Sequence, residues 1–263
     1  MSGAGNDFVI IDSRKNNYQF SAAQITKISD RSNIGCDQFV LLKNSSQADL
    51  LMEIYNSDGS ISAACGNATR CVAAILMAEK FVDKVTIETA SGILSAWFEG
   101  DLIAVNMGQP KFAWGEIPLS EPKDTDDFVI DGRHFSAVNM GNPHIVNFIN
   151  QDLSNQEFLT IGPKLEVHPL FPQRTNIEFA QILSPTHIKV RVWERGAGET
   201  LACGSGACAV AVAAIRKNLV AKEKIKISFK GGDLFIEWSN DGSVIMLGGY
   251  QKIAEGVLGE SFM

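Results

Sequence analysis

The sequence predicts a mixed α/β (α+β) chain built as two pseudo-symmetric halves, each with several short strands around one buried helix. Three observations carry this. ACGNATRCVAA (residues 64 to 74) lies over ACGSGACAVAV (residues 202 to 212) at an offset of 138, which places Cys65 on Cys203. At an offset of 140, VTIETASGILSAWF (Val85 to Phe98) lies over IKISFKGGDLFIEW (Ile225 to Trp238), and at 136 Gly5-Asn6 lies over Gly141-Asn142. Matches in the same order and nearly the same register point to a tandem duplication rather than to recurring small residues. Duplicated halves commonly face one another about a pseudo-twofold axis, and clefts between domains favour ligands, so the active site is expected in the cleft between them.

Each element has its own signal. Asn67 to Val82 and Ser205 to Leu219 carry Val, Ala, Ile, Leu and Met almost all round, which predicts helices buried on every side. A helix enclosed by strands is the simplest solution. Val85 to Phe98 and Ile225 to Trp238 each read as two strands around a Gly turn. Residues 113 to 128 hold two prolines and the acidic run EPKDTDD, the best linker candidate. The expected division is therefore 1–113 for the half carrying Cys65 and 114–250 for the half carrying Cys203, with the tail 251–263 packed on the first.

Composition excludes several classes of function. The 263 residues are 45% apolar and 20% charged, ordinary for a globular chain and ample for a core. A net charge of -7 argues against nucleic acid or an anionic membrane as partner, since both are met by clustered Lys and Arg. A small molecule remains. The opening MSGAGNDFVI lacks the basic and apolar regions of a signal peptide, so a cytoplasmic location is expected. The apolar stretches Val72 to Ala78 and Ala207 to Ile215 fall short of the roughly 20 residues a membrane span needs. Five cysteines, an odd number without a secretory signal, fit reduced thiols better than a disulfide framework.

The chemistry concentrates at two of those cysteines. Each is followed by Gly and then by Asn67 or Ser205, both good N-caps. Each thiol therefore sits at a helix entrance, where unpaired N–H groups and the macrodipole favour negative charge. Its pKa is expected below the usual value of about 8.5, making it a usable base. The same N–H groups can hold a substrate carboxylate. One thiolate removing an α-proton from one face while an opposed thiol donates to the other would invert an α-carbon by general acid–base catalysis. No pyridoxal or other cofactor signature is present, and none is expected to be required. Cys71 and Cys208, within the apolar runs, read as packing residues, and Cys36, without a partner in the repeat, as structural. The C-x5-C and C-x4-C spacings differ from common metal sites, so no metal is expected. SGAGND and RGAGET lack the helix or Gly-Lys-Ser/Thr ending of a nucleotide loop.

Seven motifs carry a family resemblance: GAGNDF (Gly3 to Phe8), GCDQ (Gly35 to Gln38), YNSDGS (Tyr55 to Ser60), ACGNATRC (64 to 71), MGNPH (Met140 to His144), RTN (Arg174 to Asn176) and ERGAGETLACGSGACA (Glu194 to Ala209). In this order they resemble the diaminopimelate epimerases, from the first residue to about residue 250. The resemblance implies two halves, each a β-barrel-like sheet wrapped around a central helix, and interconversion of LL- and meso-2,6-diaminopimelate for lysine and peptidoglycan precursors without cofactor or metal. Cys65 and Cys203 match the catalytic thiols, and His144 and Glu194 the polar residues that assist them. Asn6, Gln38, Asn56, Asn142, Asn176, Glu194 and Arg195 match substrate-contacting positions, while Gly66-Asn67 and Gly204-Ser205 match the helix-end carboxylate cradles. A homodimer is expected from resemblance and from the prevalence of twofold oligomers.

Read singly, these residues keep plainer alternatives: Asn6 and Asn142 as turn residues, Glu194 with Arg195 as a local ion pair, His144 as a packed loop residue. The chain departs from the family's usual pattern in two places. Ala68 stands where Gly is usual, which predicts a tighter or differently shaped first cradle. The chain also begins almost on its first motif, so either the start is truncated or a leading strand is absent. The competing readings are a proline or hydroxyproline two-cysteine racemase, an isomerase of isochorismate-derived metabolites that would not keep both thiols, and a non-catalytic thiol-redox or ligand-binding protein.

Overall fold

The structure, a computed structural model, describes residues 1–62, 65–259 and 262. Residue 64 of the first cysteine motif and residues 260, 261 and 263 of the tail lie outside the described residues. The chain divides into unit 1, Met1–Asn106 with Leu247–Met263, and unit 2, Met107–Met246.

Unit 1 runs β1 (Ser2–Gly3), β2 (Asn6–Asp12), α1 (Ala22–Ser29), β3 (Gln38–Lys43), β4 (Leu50–Asn56), β5 (Ile61–Ser62), α2 (Gly66–Lys80), β6 (Lys84–Thr89), β7 (Gly92–Glu99) and β8 (Leu102–Asn106). Unit 2 continues with β9 (Phe128–Ile130), β10 (Arg133–Asn139), β11 (Pro143–Phe148), α3 (Asn155–Glu166), β12 (Asn176–Ser184), β13 (His187–Glu194), β14 (Gly198–Thr200), α4 (Gly204–Arg216), β15 (Ile225–Phe229) and β16 (Gly232–Trp238), followed by β17 (Val244–Gly248). The duplication read from sequence is present in the pairing of the main strands. In unit 1, β2 is parallel to β3, β3 antiparallel to β4, β4 parallel to β6 and β6 antiparallel to β7. In unit 2, β11 is parallel to β12, β12 antiparallel to β13, β13 parallel to β15 and β15 antiparallel to β16.

Each sheet has a helix on both faces, and strand alternation decides which residues each helix meets. In unit 1, Val9, Ile11, Phe39, Leu41 and Tyr55 pack against Ile25 and Ile28 of α1, so Phe8, Gln38, Val40 and Asn56 belong to the opposite face. In unit 2, Ile145, Ile177, Phe179 and Trp193 pack with Phe158 of α3, which leaves His144, Asn176, Glu178 and Glu194 on the face toward α4. The two apolar helices occupy those second faces. Helix α2 meets β1, β6, β7 and β8, and α4 meets β10, β11, β12, β15 and β16. Their residues from Ala68 to Ala74 and from Gly206 to Ala214 are buried, as the all-round apolar pattern requires.

Several expectations are corrected. Helix α2 ends at Lys80 rather than Val82, because Phe81 adopts a left-handed cap at φ 56° and both Phe81 and Val82 donate to the Met77 carbonyl. Helix α4 ends at Arg216 rather than Leu219, with Asn218 left-handed at φ 56° and Leu219 donating to Ala214. The segment 113–128 is no linker: it lies within unit 2, where Ile117, Leu119 and Phe128 are buried in the apolar cluster under α3. At the start of the chain, β1 pairs with β2, and Ser2 exchanges both backbone hydrogen bonds with Gln251 at 2.8 Å.

Helices α1 and α3 were not anticipated. Their signal is a capping box, Ser21 with Gln24 and Ser154 with Glu157, each closed reciprocally in the structure.

Candidate active site

In unit 1, Cys65, Gly66 and Asn67 form the entrance of α2, and Asn6 is tied to it through Asn67. The N-cap is Cys65 itself, in extended conformation at φ -148° and ψ 104°, with Gly66 as the first helical residue. This corrects the expectation of Asn67 as cap. Asn67 is buried, and its amide donates to Oδ1 of Asn6 at 2.6 Å. The amide of Gln38 donates to Oδ1 of Asn56 at 3.2 Å, as directly paired neighbours across β3 and β4. Asp37 orders this edge: Asp7 and Asp37 exchange backbone-to-carboxylate bonds at 3.0 and 2.8 Å, and Arg31 bridges both carboxylates. Ala68 fits the α2 helix fully buried, so the departure at this position leaves a regular first turn.

In unit 2 the corresponding cap is Cys203, at φ -131° and ψ 117°, again two residues earlier than the expected Ser205. Gly206 N–H donates to its sulfur at 3.4 Å, and the Ser205 hydroxyl lies 3.5 Å away. The Glu194 carboxyl lies near enough to the thiol to act on it electrostatically, and it accepts the Thr200 hydroxyl. Glu194 is therefore engaged with Cys203 and Thr200, while the exposed Arg195 guanidinium donates to the Gln173 carbonyl at 3.1 Å. Asn176 ties the segment down, donating to Pro143 O at 2.8 Å and accepting Arg195 N–H at 2.9 Å. His144 is buried as a packed residue would be, but in a strand rather than a loop: it lies in β11, with Nε2 2.9 Å from Oδ1 of Asn142 and Nδ1 2.6 Å from Oε1 of Glu178.

The electrostatics at Cys203 reverse the expectation of a lowered thiol. Burial pushes the Cys203 thiol well above its ordinary value, and the nearby Glu194 and Glu178 carboxylates push it further up. The bonds from Ser205 and Gly206 act the other way and are the smaller effects. A helix terminus supplies about half a charge, whereas desolvation and two carboxylates act on the whole thiolate. Glu194 is itself raised, first by burial and in part by Glu178, against lowering by Thr200 and Cys203. Cys71 is pushed up to about 11 by burial, in keeping with a packing role.

Two residues of this region were missed in the sequence. Glu178 interrupts the apolar run Ile177 to Ala180, and a charge inside such a run is the signal that would have found it. Glu166, at the end of α3, accepts from Trp193 Nε1 at 2.8 Å, Gly196 N–H at 2.9 Å and Arg174 at 3.3 Å, so it anchors the loop that presents Arg195. Among the described residues no group of three or more His, Cys, Asp or Glu is placed to hold a metal ion, and no helix is long and apolar enough to cross a membrane.

Comparison with known proteins bears on the family and the fold. The family model described as diaminopimelate epimerase matches residues 1–113 and 136–253. The chain is 47% identical to the diaminopimelate epimerase of Acidiphilium cryptum, over 98% of this chain and 94% of that one. It is 48% identical to that of Gluconobacter oxydans, over 94% and 93%. Among solved structures, a hydroxyproline epimerase from Agrobacterium vitis superposes with a TM-score of 0.61 at 14% identity, covering 86% of this chain and 77% of that one. A phenazine biosynthesis protein of the PhzF family from Bacillus anthracis gives 0.62 at 14% identity, covering 95% and 92%. These structural likenesses establish a shared fold. The sequence matches go further: this chain is an isomerase of the diaminopimelate epimerase family.

Proposed function

We propose that this chain interconverts LL- and meso-diaminopimelate by a two-base mechanism in which Cys65 and Cys203 act on opposite faces of one α-carbon. The observation that carries the reading is the matched pair of cysteines, each the N-cap of an equivalent buried helix in a duplicated fold. Inversion needs a proton acceptor on one face and a donor on the other. Cys203, held up by burial and two carboxylates, suits the donor in the resting protein, and ionisation of the opposed thiol supplies the acceptor. The first-turn N–H groups at Gly66-Asn67 and Gly204-Ser205, which have no partner within a helix, would receive the substrate carboxylate and the charge that develops on it.

Asn6, Gln38 and Asn56 in unit 1, and Asn142, Asn176, Glu194 and Arg195 in unit 2, supply donors and acceptors for a molecule with two zwitterionic ends. Arg195 is the one exposed guanidinium of this set, able to rotate from the Gln173 carbonyl to a distal carboxylate. His144 and Glu194 would be the polar residues that assist the thiols. We further assign the protein to the cytoplasm as a homodimer, the latter to be read by light scattering.

The test is incubation of reduced protein, freed of metal and pyridoxal phosphate, with LL-diaminopimelate in deuterated water, with proline in parallel. Deuterium at the α-carbon together with meso product is expected. Exchange confined to proline would replace the substrate assignment, and exchange with neither would overturn the catalytic reading in favour of a binding or redox role.

A further inference from the structure

The duplicated units offer an internal control on one buried residue. In unit 1, parallel register sets Phe8 beside Gln38 and Ile10 beside Val40. In unit 2 the same register sets His144 beside Asn176 and Val146 beside Glu178. At the offsets of 136 and 138 that relate the halves, Phe8 corresponds to His144 and Val40 to Glu178. All four are buried. The same place in the fold is thus filled by an apolar pair in one unit and by an imidazole with a carboxylate in the other, so the architecture does not require the polar pair.

Nor does stability account for it. Glu178 is fully buried, and while Oε1 lies 2.6 Å from Nδ1 of His144, Oε2 has no hydrogen-bond partner among the described residues. A half-satisfied buried carboxylate costs stability relative to an apolar side chain of similar size. The helix above has been shaped to admit it. A Cβ on Gly206 would lie 2.7 Å from Glu178 Oε1 and 3.3 Å from the Cys203 sulfur, whereas the residue that corresponds to it in unit 1 at the offset of 138 is Ala68. Glu178 therefore lies directly beneath the Cys203 turn. A carboxylate at Nδ1 accepts that nitrogen's proton, and Nε2, which faces the carbonyl oxygen of Asn142, donates to it only when the ring carries a proton on both nitrogens.

We propose that Glu178 is a positioning residue of the epimerisation: it holds His144 with Nδ1 protonated and Nε2 turned to Asn142 beside Cys203, and acts on the reaction only through that ring. The inference rests on the assignment of His144 to the active site made above. Partners of this kind, bonded to the far nitrogen of a working histidine, typically alter activity by about 10- to 100-fold when removed.

The experiment pairs kinetics with ring nitrogen NMR. Glu178→Gln is expected to lower kcat in both directions by about 10- to 100-fold while KM stays within about threefold. The ¹⁵N pattern of the His144 ring, identified by its loss in His144→Gln, is expected to show Nδ1 protonated in the wild type and to change in Glu178→Gln. The double variant His144→Phe/Glu178→Val, which copies unit 1, is expected to fold, to melt no lower than the wild type, and to turn over no faster than Glu178→Gln. A kcat for Glu178→Gln within about twofold of wild type, or an unchanged ring pattern, would overturn the proposal. A double variant that failed to fold would do the same by showing the pair to be structural. Should the wild-type chain leave diaminopimelate unchanged, the functional reading fails by itself, and the ring spectra still decide the relation of Glu178 to His144.

Discussion

Gly206→Ala places one methyl group where the unit 2 site has no room for it. The new Cβ would stand 2.7 Å from Glu178 Oε1, 3.2 Å from Cys203 Cβ and 3.3 Å from Cys203 Sγ. Restoring ordinary carbon contacts near 3.5 Å requires a displacement of about 0.8 Å on the carboxylate side. Glu178 cannot swing aside freely, because Oε1 is tied to His144 at 2.6 Å in a fully buried position. Overpacking of this kind costs about 1–3 kcal/mol, offset by about 1 kcal/mol from the better helix propensity of Ala. The net loss is about 0–2 kcal/mol, a fall in melting temperature of at most about 8 °C for a chain of this size. Activity suffers more, because a shift approaching 1 Å in a reacting group costs on the order of 100-fold. The assay is thermal melting beside epimerase turnover, for Gly206→Ala alone and with Glu178→Val, which removes the blocking oxygen and copies the Ala68 and Val40 of unit 1. The double variant should recover the stability and not the activity. A kcat for Gly206→Ala within about threefold of wild type, or a double variant no more stable than the single one, would refute the steric argument.

Four further outcomes are expected. Cys65→Ser and Cys203→Ser should each abolish epimerisation with unchanged circular dichroism, and normal turnover by either would remove the two-base assignment. Iodoacetamide at neutral pH should modify the half-buried Cys65 before Cys203 or Cys71, whose thiols burial holds protonated; peptide mapping that found Cys203 labelled first would contradict the electrostatics described. Glu166→Gln weakens acceptance from Trp193, Gly196 and Arg174, so a loss of about 1–3 kcal/mol in denaturant melts and a raised KM from a displaced Arg195 loop are expected. Asp49 is lowered to about 2, first by its bond to Lys80 and then by Thr86. Its stabilisation is present above the unfolded value near 3.8 and is lost as pH falls toward 2. With the side chain 34% exposed, that amounts to about 1 kcal/mol after solvent screening, so Asp49→Asn should be less stable at pH 7 and equal to wild type near pH 2.

The division between what could be read from the chain and what required its folding is clearest at particular residues. The repeat was legible because duplication preserves local order: Cys65 and Cys203 align, and both precede a mainly apolar helical run. Strand pairs around Gly92 and Gly232 were legible for the same reason, since both glycines take positive φ at 122° and 142° in equivalent hairpins. Asn6, Gln38, Asn56, Asn142, Asn176, Glu194 and Arg195 were legible only through the resemblance, because each type is common in turns and on surfaces.

What tertiary structure alone decided concerns environments rather than positions. Local pattern placed both thiols at helix starts, yet the sign of the shift at Cys203 depends on burial and on carboxylates from β12 and β13, which lie 25 and 9 residues earlier in the sequence. The acidic, proline-bearing segment 113–128 looks like a linker in isolation, and its burial follows from Ile117, Leu119 and Phe128 meeting residues of α3 and its neighbours. The pairing of His144 with Glu178 likewise needs the parallel register of β11 and β12, joined across a connection that holds α3. The sequence by itself determined the duplicated fold, the two cysteines and the family, because these are written in short-range order. Packing decided which carboxylate stands beneath which thiol, because electrostatic energy depends on distance and dielectric, and both are set only when remote strands come together.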